Sequence, residues 1–384
     1  MAAHHPRHAS SEAGRPRLIA GLVIAPIAVL TLVALIWLWP SDGVGPAQQQ
    51  SAARQYDGTV TAVVRERCAE RLPDDVNGCG SAQVRLTDGA DRDVEVALPN
   101  GTGAPQVAEG DDVVLVSSGD REGAVYSIVD HQRGTGLWVL GAAFALALVA
   151  FGRWRGLTAL AGLAVTFALL LLFVVPAILA GEPPLLVAIV GSCAIMLTVL
   201  YLTHGLALAT SVAVLGTLIS LVLTGLLSAA AVAALHLTGV TDDLSASVGM
   251  SQGVNTEGLL LAGIVIGSLG VLDDVTVTQA ATVNELARAN PSYGWRQLYL
   301  AGSRVGRSHI ASVVNTIILA YAGSSLPLLI LIVAGSDSLG GVVTDQVIAQ
   351  EIVRSAVATL GLIAAVPVTT GLAALTSRSS RTGT

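Results

Sequence analysis

Charged residues are scarce in this chain of 384 amino acids, and lysine is missing altogether. Only 12% of the residues are charged, whereas a soluble domain averages about 25%. Hydrophobic residues make up 53%, and the mean hydropathy is +0.69. This composition excludes an ordinary soluble domain and indicates a polytopic membrane protein. All twenty basic residues are arginine. We attribute this to the base composition of the gene and not to a structural requirement for arginine.

Cysteines and catalytic signatures are equally sparse. Cys68 and Cys79 flank a loop in a polar region, a pattern that suggests a disulfide outside the cytoplasm, whereas Cys193 lies alone in an apolar run. No Cys/His spacing predicts a structural zinc site, and the sequences HExxH, GxSxG and GxxxxGK(S/T) do not occur. We therefore expect no enzyme activity and no cofactor, and leave open whether a metal binds.

The polar region at 41–133 contains sixteen Asp and Glu residues against eight Arg. This negative charge excludes a nucleic-acid partner, which would require the opposite sign. The region alternates polar and apolar residues in five short stretches separated by turn signals, and therefore predicts strands. Five strands in so short a region suit a small OB-like barrel. The stretches are 56–66, 82–87, 93–98, 111–117 and 123–130.

Eight apolar runs are long enough to span a bilayer. With the N-terminus inside, eleven of the twelve arginines outside 41–133 fall on the cytoplasmic side. The fold class predicted is an all-α membrane protein of about eight transmembrane helices, with a β-rich, OB-like extracytoplasmic domain. The runs are 18–39, 135–151, 157–180, 184–203, 206–235, 258–283, 309–333 and 348–375.

The predicted domain organisation follows from this topology. The first helix is a membrane anchor or, alternatively, a signal peptide, since arginines precede its apolar run; in either case the strands lie outside. The segments are a disordered cytoplasmic leader at 1–17, the anchor at 18–39, the extracytoplasmic domain at 41–133, seven helices at 135–376 and a cytoplasmic tail at 377–384.

The sixth run contains two adjacent acids, Asp273 and Asp274. A carboxylate near the bilayer centre costs roughly 2.5–3.5 kcal/mol or more, so it is expected to have a partner or a function. At about 100° per residue, Asp274 falls on a narrow stripe of small residues, and Asp273 points about 100° away. We predict that the stripe packs against another helix through its glycines, Gly263, Gly267 and Gly270.

The returning helix from 309 has a polar face that suits this stripe. Ser312, Asn315 and Thr316 lie on it, and the two helices run in opposite directions, so Asn315 is expected at a depth similar to that of Asp274. These polar groups either hold the helices together by hydrogen bonds or line a path for an ion or solute.

Charged residues at the two membrane surfaces are candidates for gates. Arg307 either extends to the lipid head groups or pairs with Glu285 or Asp274 on the cytoplasmic side. Glu351 and Arg354 are three residues apart on the outer side, where they form a local ion pair or an outer gate.

The sequence at these positions resembles the YibE/F family of bacterial membrane proteins. The resemblance covers the seven-helix region, and it implies a multi-pass architecture more than a mechanism. The stretches that carry it are His204-Gly205, 258–275, Asn290-Pro291, 302–330 and 351–369, and the family pattern falls on Gly270, Asp274, Gly306, Arg307, Asn315, Thr316, Tyr321, Pro327, Glu351 and Arg354.

The residues support two main hypotheses for function. In the first, the chain is a secondary transporter or permease of the plasma membrane, and Asp274 binds a small ion or solute. In the second, the chain is an accessory or sensor protein whose extracytoplasmic domain binds an envelope partner. An intramembrane enzyme would need a second acid or a histidine near Asp274. The lipid bilayer is the expected surrounding in each case, and a homo-oligomer is one option for a protein partner.

Overall fold

The computed structural model describes residues 15–40, 54–68, 76–87, 92–118, 125–240, 243–335 and 339–379. Most of the predicted leader, up to residue 14, and the last five residues of the predicted tail lie outside this part of the chain. The chain divides into two compact units, one formed by residues 46–151 and the other by the rest.

The first unit contains an antiparallel sheet of five strands, as the alternation predicts. The strands are ordered β3-β2-β1-β4-β5 across the sheet, and the outer strands approach each other where Arg92 donates a hydrogen bond of 2.6 Å to the Tyr126 hydroxyl. A bulge between Val60 and Ala62 bends β1. The strands are β1 Arg54–Glu66, β2 Cys79–Leu86, β3 Arg92–Ala97, β4 Asp112–Ser118 and β5 Val125–His131.

Alternate residues of these strands form the core of the first unit. Val84, Val113 and Leu115 are fully buried, because the side-chain period of two directs them to one face. Cys68 and Cys79 are joined by a disulfide at the start of β2. Next to it, the buried Asn77 side chain donates to the carbonyls of Pro99 and Pro105 and so fixes the loop after β3.

Helix α2 (Gly134–Gly152) ends the first unit. It is apolar along its length, yet none of its residues is buried within the protein. Such a helix needs a non-aqueous surrounding, which agrees with its predicted place in a bilayer.

The second unit is a bundle of long helices. In the described residues of the whole chain, seven helices are long and apolar enough to cross a membrane, and α2 of the first unit is one of them. The protein is therefore a multi-pass membrane protein. The helices of the bundle are α1 Arg15–Trp37, α3 Trp154–Leu169, α4 Val175–Leu179, α5 Pro184–His204, α6 Leu208–Ala234, α7 Asp243–Gln252, α8 Thr256–Ala289, α9 Trp295–Ser324, α10 Leu326–Ala334, α11 Leu339–Thr344 and α12 Gln346–Ser379.

Helices α3 and α4 are joined into one span by a π-helical turn at Leu170–Val174. The wider turn brings two consecutive side chains, Phe173 and Val174, into the core, where they are 0% and 3% exposed. Pro176 follows in the first turn of α4, where a missing N–H group is tolerated.

The predicted span at 309–333 does not form one continuous helix. Helix α9 ends at Ser324, and α10 begins at Leu326. Pro327 explains the interruption, because a proline has no N–H to donate to the carbonyl four residues earlier, that of Gly323, and fits the first turn of a new helix. The seven candidate spans in the described residues therefore do not include this segment.

Helices α6, α8 and α12 form the centre of the bundle. Gly216 of α6 faces Thr369 of α12, and Gly361 of α12 faces Thr224 of α6, so closely that a Cβ atom on either glycine would collide. Small residues at these two crossings let the backbones approach, which is how membrane helices gain packing energy.

Four buried hydroxyl groups of α6 donate to carbonyls of their own helix. Thr217, Ser220, Thr224 and Ser228 each donate to the carbonyl four residues earlier, at 2.7–3.0 Å. These polar residues can therefore occupy an apolar core without unpaired donors.

Candidate functional site

The candidate site lies on α8, a helix of 34 residues whose ends are well defined. At its start, the Asn255 side chain accepts a hydrogen bond of 3.0 Å from the Gly258 backbone, as an N-cap does. At its end, Arg288 pairs with Glu285 at 2.9 Å and places a positive charge near the helix C-terminus. The two adjacent acids lie between these ends, in the membrane-spanning part.

Asp273 and Asp274 have different surroundings. Asp273 is half-buried, and its Oδ1 atom is buried without a hydrogen-bond partner. Asp274 is exposed on the surface of the bundle. The helical wheel predicts this divergence of the two side chains. Because an unpaired buried carboxylate oxygen is unfavourable, Asp273 is expected to need an additional ligand or proton.

A chain of buried polar groups runs beside Asp273. The hydroxyls of Thr276 (α8) and Thr217 (α6) are 2.6 Å apart. One turn further on, the Gln279 side chain donates to the Gly302 carbonyl of α9 at 2.8 Å and to the Thr370 hydroxyl of α12 at 2.7 Å. Gln279 thus joins three helices through one amide.

Sequence reasoning missed this polar chain. The signal is present in the sequence, since Gln279 is an amide in an apolar run that also contains two charges. Of the three glycines predicted to pack, only Gly267 lies against a neighbouring helix, at the Tyr321 hydroxyl of α9. Gly302 and Gly306 of α9 lie against α8, at Val283 and Gln279, whereas Gly263 and Gly270 are exposed with open space beside them.

The predicted partners of Asp274 do not bind it within one chain. Ser312, Asn315 and Thr316 are exposed on α9, and Thr316 donates to the Ser312 carbonyl at 3.2 Å. In the described part of the chain, neither Asp274 nor Asn315 has a side-chain hydrogen bond.

The predicted gates are placed as follows. Arg354 and Glu351 form an ion pair of 3.0 Å whose side chains are 26% and 19% exposed. Glu351 Oε2 and Arg354 Nε are buried without a further partner. Arg307 donates to the Ser303 carbonyl at 3.3 Å, while Glu285 is paired with Arg288, so Arg307 contacts neither Glu285 nor Asp274 here.

Two cavities of the bundle have charged residues in their lining. One, of about 390 Å³, is lined by Tyr321, Glu351 and otherwise mostly apolar residues of α9, α10 and α12. The other, of about 460 Å³, lies at the N-terminal ends of α5 and α8, and Glu182 and Glu257 are its charged lining residues. The second cavity therefore has a negative lining suited to attracting cations.

The geometry limits the chemistry that these residues can perform. Among the described residues, no group of three or more His, Cys, Asp or Glu side chains could hold a metal ion. A half-buried carboxylate with one unpaired oxygen can bind a proton or a small cation, and the neighbouring hydroxyl and amide groups can hydrogen-bond a solute.

Comparison with known proteins gives one match. The family described as YibE/F-like protein matches residues 140–379, which extend from within α2 to the end of α12. No curated protein and no solved structure matches the chain. Since the match covers more than half of the sequence, and includes Asp273, Asp274, Glu351 and Arg354, the chain belongs to the YibE/F-like family.

Proposed function

We propose that the protein is a membrane transporter or permease for a small cation or a solute carried with protons. The observation that carries this proposal is the unpaired, buried Oδ1 atom of Asp273 in the middle of a membrane-spanning helix. An ionisable group at that depth is expected to bind or relay an ion, because a purely structural role would be met by Ser or Thr at lower energy.

In this proposal the adjacent acids have separate tasks. Asp273 binds the ion, and Asp274, the residue favoured by the sequence pattern, raises the local negative charge from the outer side of the helix. The hydroxyl and amide groups of Thr276 and Gln279 continue the polar path toward the cytoplasm. Glu182 and Glu257 concentrate cations at the outer mouth.

The proposed topology has eight spans, with both termini in the cytoplasm of the cell. Helices α9 and α10 together form the seventh span, because their combined length is sufficient and the interruption at Ser325 can be satisfied by neighbouring groups. The pattern of arginines supports this orientation.

The first unit is proposed to be an OB-like barrel on the outer side of the plasma membrane. Its strand order, with β3 and β5 brought together at Arg92 and Tyr126, suits a barrel of this kind. The Cys68–Cys79 disulfide supports an oxidising compartment outside the cytoplasm.

Transport is tested with the purified full-length chain in liposomes. Proton flux is followed with an enclosed pH-sensitive dye, and Na⁺ and K⁺ flux with ion-selective electrodes, under imposed gradients. We expect Asp273→Asn to lower flux by about tenfold or more, equivalent to ~1.4 kcal/mol, and Asp274→Asn to lower it less.

The matched control is Asp93→Asn, which removes an exposed acid of the strand unit that pairs with Arg85 at 3.2 Å. It should leave flux unchanged. A folded wild-type chain that moves neither protons nor these cations would count against transport of ions and would favour the accessory or sensor role. Equal flux in wild type and Asp273→Asn would remove Asp273 from the mechanism.

A further inference from the structure

Two exposed polar stripes lie side by side on α8 and α9, and we call their surface the polar membrane face. The helices are neighbours along it, since a Cβ atom at Gly267 would stand 3.1 Å from the Tyr321 hydroxyl. All members of the face are exposed: Gly263, Gly267, Gly270, Asp274, Thr278, Ala281 and Glu285 on α8, and Ser308, Ser312, Asn315 and Thr316 on α9.

Lipid chains cannot satisfy this face. Asp274 is nine residues from the cytoplasmic end of the apolar run 258–283, which is about 14 Å along the helix axis and places it within the hydrocarbon layer. Lipid chains offer no hydrogen-bond donor to a carboxylate there. The glycines also leave a smooth surface on which another helix can approach closely.

The acid on α8 and the donors on α9 lie at similar depths. Gln279 of α8 contacts Gly302 and lies against Gly306, so these positions share one level of the membrane. Because the two helices are antiparallel, moving from that level toward the outer side means moving to lower residue numbers on α8 and to higher ones on α9. Asp274 of α8 is then at the level of Ser308 and Ser312 of α9. Arg304, also exposed, lies at the level of Gln279, and its long side chain can extend toward Asp274.

We propose that the polar membrane face is the interface with a second copy of this chain. Two copies inserted in the same orientation are related by a two-fold axis along the membrane normal, and this axis preserves depth. Helix α8 of one copy then meets α9 of the other, so Asp274 faces Ser308, Ser312 and the positive charge of Arg304. The reciprocal contact forms at the same time, which makes the face complementary to itself in charge.

The same arrangement does not occur inside one chain. In the described protomer, neither Asp274 nor Arg304 belongs to an ion pair. Dimer formation would therefore supply Asp274 and Arg304 with partners that the single chain lacks.

The first test adds bulk to the face. A side chain at Gly270 meets nothing within 4 Å in the protomer, so Gly270→Leu should fold normally but hold two copies apart. Fluorescently labelled full-length chain is reconstituted in liposomes over a range of protein-to-lipid ratios, and subunits are counted by single-molecule photobleaching. We expect wild-type dimers, and a dissociation constant raised by about tenfold or more in Gly270→Leu.

The matched control is Gly21→Leu, an exposed glycine of α1 with equally open space beside it, which should dimerise like wild type. Circular dichroism and monodisperse elution check folding of each variant. A wild-type chain that stays monomeric at every ratio would overturn the proposal. So would an unchanged dissociation constant in Gly270→Leu.

The second test is a double-mutant cycle on the charged contact. Asp274→Asn and Arg304→Gln should each weaken dimerisation, and the double variant should lose less than the sum, with a coupling of about threefold to tenfold. Strictly additive effects would refute this pairing. The readout is subunit number and not flux, so its outcome is separate from that of the transport test.

Discussion

The crossing of α6 and α12 allows a sharp test of how the bundle is packed. A Cβ atom at Gly216 would stand 3.1 Å from Thr369 Cβ and 3.3 Å from its Cγ2, with the hydroxyl closer still. Thr369 is fully buried and has no room to move. Overpacking of this kind costs about 1–3 kcal/mol, so Gly216→Ala should lower the free energy of unfolding by roughly that amount.

A second substitution at the same crossing should restore stability. The Thr369 hydroxyl is buried without a hydrogen-bond partner, so Thr369→Ala removes the hydroxyl and Cγ2, leaves only the Cβ contact of 3.1 Å, and sacrifices no hydrogen bond. We expect the double variant Gly216→Ala/Thr369→Ala to recover most of the loss. The assay is equilibrium unfolding by SDS from mixed micelles, followed by circular dichroism.

The control for helix propensity lies on the same helix. At Gly225 the nearest atom to an added Cβ is Val265 Cγ2 at 3.9 Å, an ordinary contact. Gly225→Ala should therefore be neutral or stabilise by up to ~1 kcal/mol. If Gly216→Ala is no less stable than Gly225→Ala, or if Thr369→Ala fails to rescue it, the close crossing of these helices is refuted.

Three further predictions concern the hydrogen bonds and charges described above. Gln279→Leu removes two interhelical hydrogen bonds and should destabilise the bundle by about 1–2 kcal/mol in the same SDS unfolding assay, whereas an unchanged midpoint would refute the contact. Cys68→Ser breaks the disulfide with Cys79 and should lower the melting temperature of the strand unit, measured by calorimetry, while reducing agent should affect wild type and not the variant. Hydrogen bonding from Arg133 lowers the pKa of Asp130 below its ordinary 3.8. The stability that this pair contributes is therefore complete above that value, and it is lost as the pH falls through the lower pKa of the folded state. The acid-induced drop in melting temperature should be smaller in Asp130→Asn than in wild type, and an equal drop would refute the pairing.

Hydropathy and alternation predicted the elements of this fold well, because both report on burial averaged over many residues. The five strands and seven of the spans follow directly from these patterns. The interruption at Ser325 was not predicted, although Pro327 provides its cause. A proline inside an apolar run can kink a helix or start a new one, and the sequence pattern does not distinguish the two.

The site was predicted only in part, for a different physical reason. The wheel separates Asp273 from Asp274, but it does not tell which side of α8 meets its neighbours. Which side of α8 is buried depends on the shape of α6 and α12, whose glycines and threonines pack against each other. The sequence of α8 itself contains no periodic pattern that reports this packing. The expectation that Asp274 and Asn315 would meet assumed one chain, whereas both side chains are exposed in the protomer.

The π-helical turn at Leu170–Val174 has a consequence for sequence change in this region. The turn contains one residue more than a regular helix would need, so deleting a residue there would keep the span helical. Because the wider turn accommodates the extra residue, the helix on each side of the deletion would keep the face that it now buries. Phe173 and Val174, now both in the core, could no longer both face it. A variant of this chain with that deletion would therefore have to fill the space against Gly191 with a different pair of side chains.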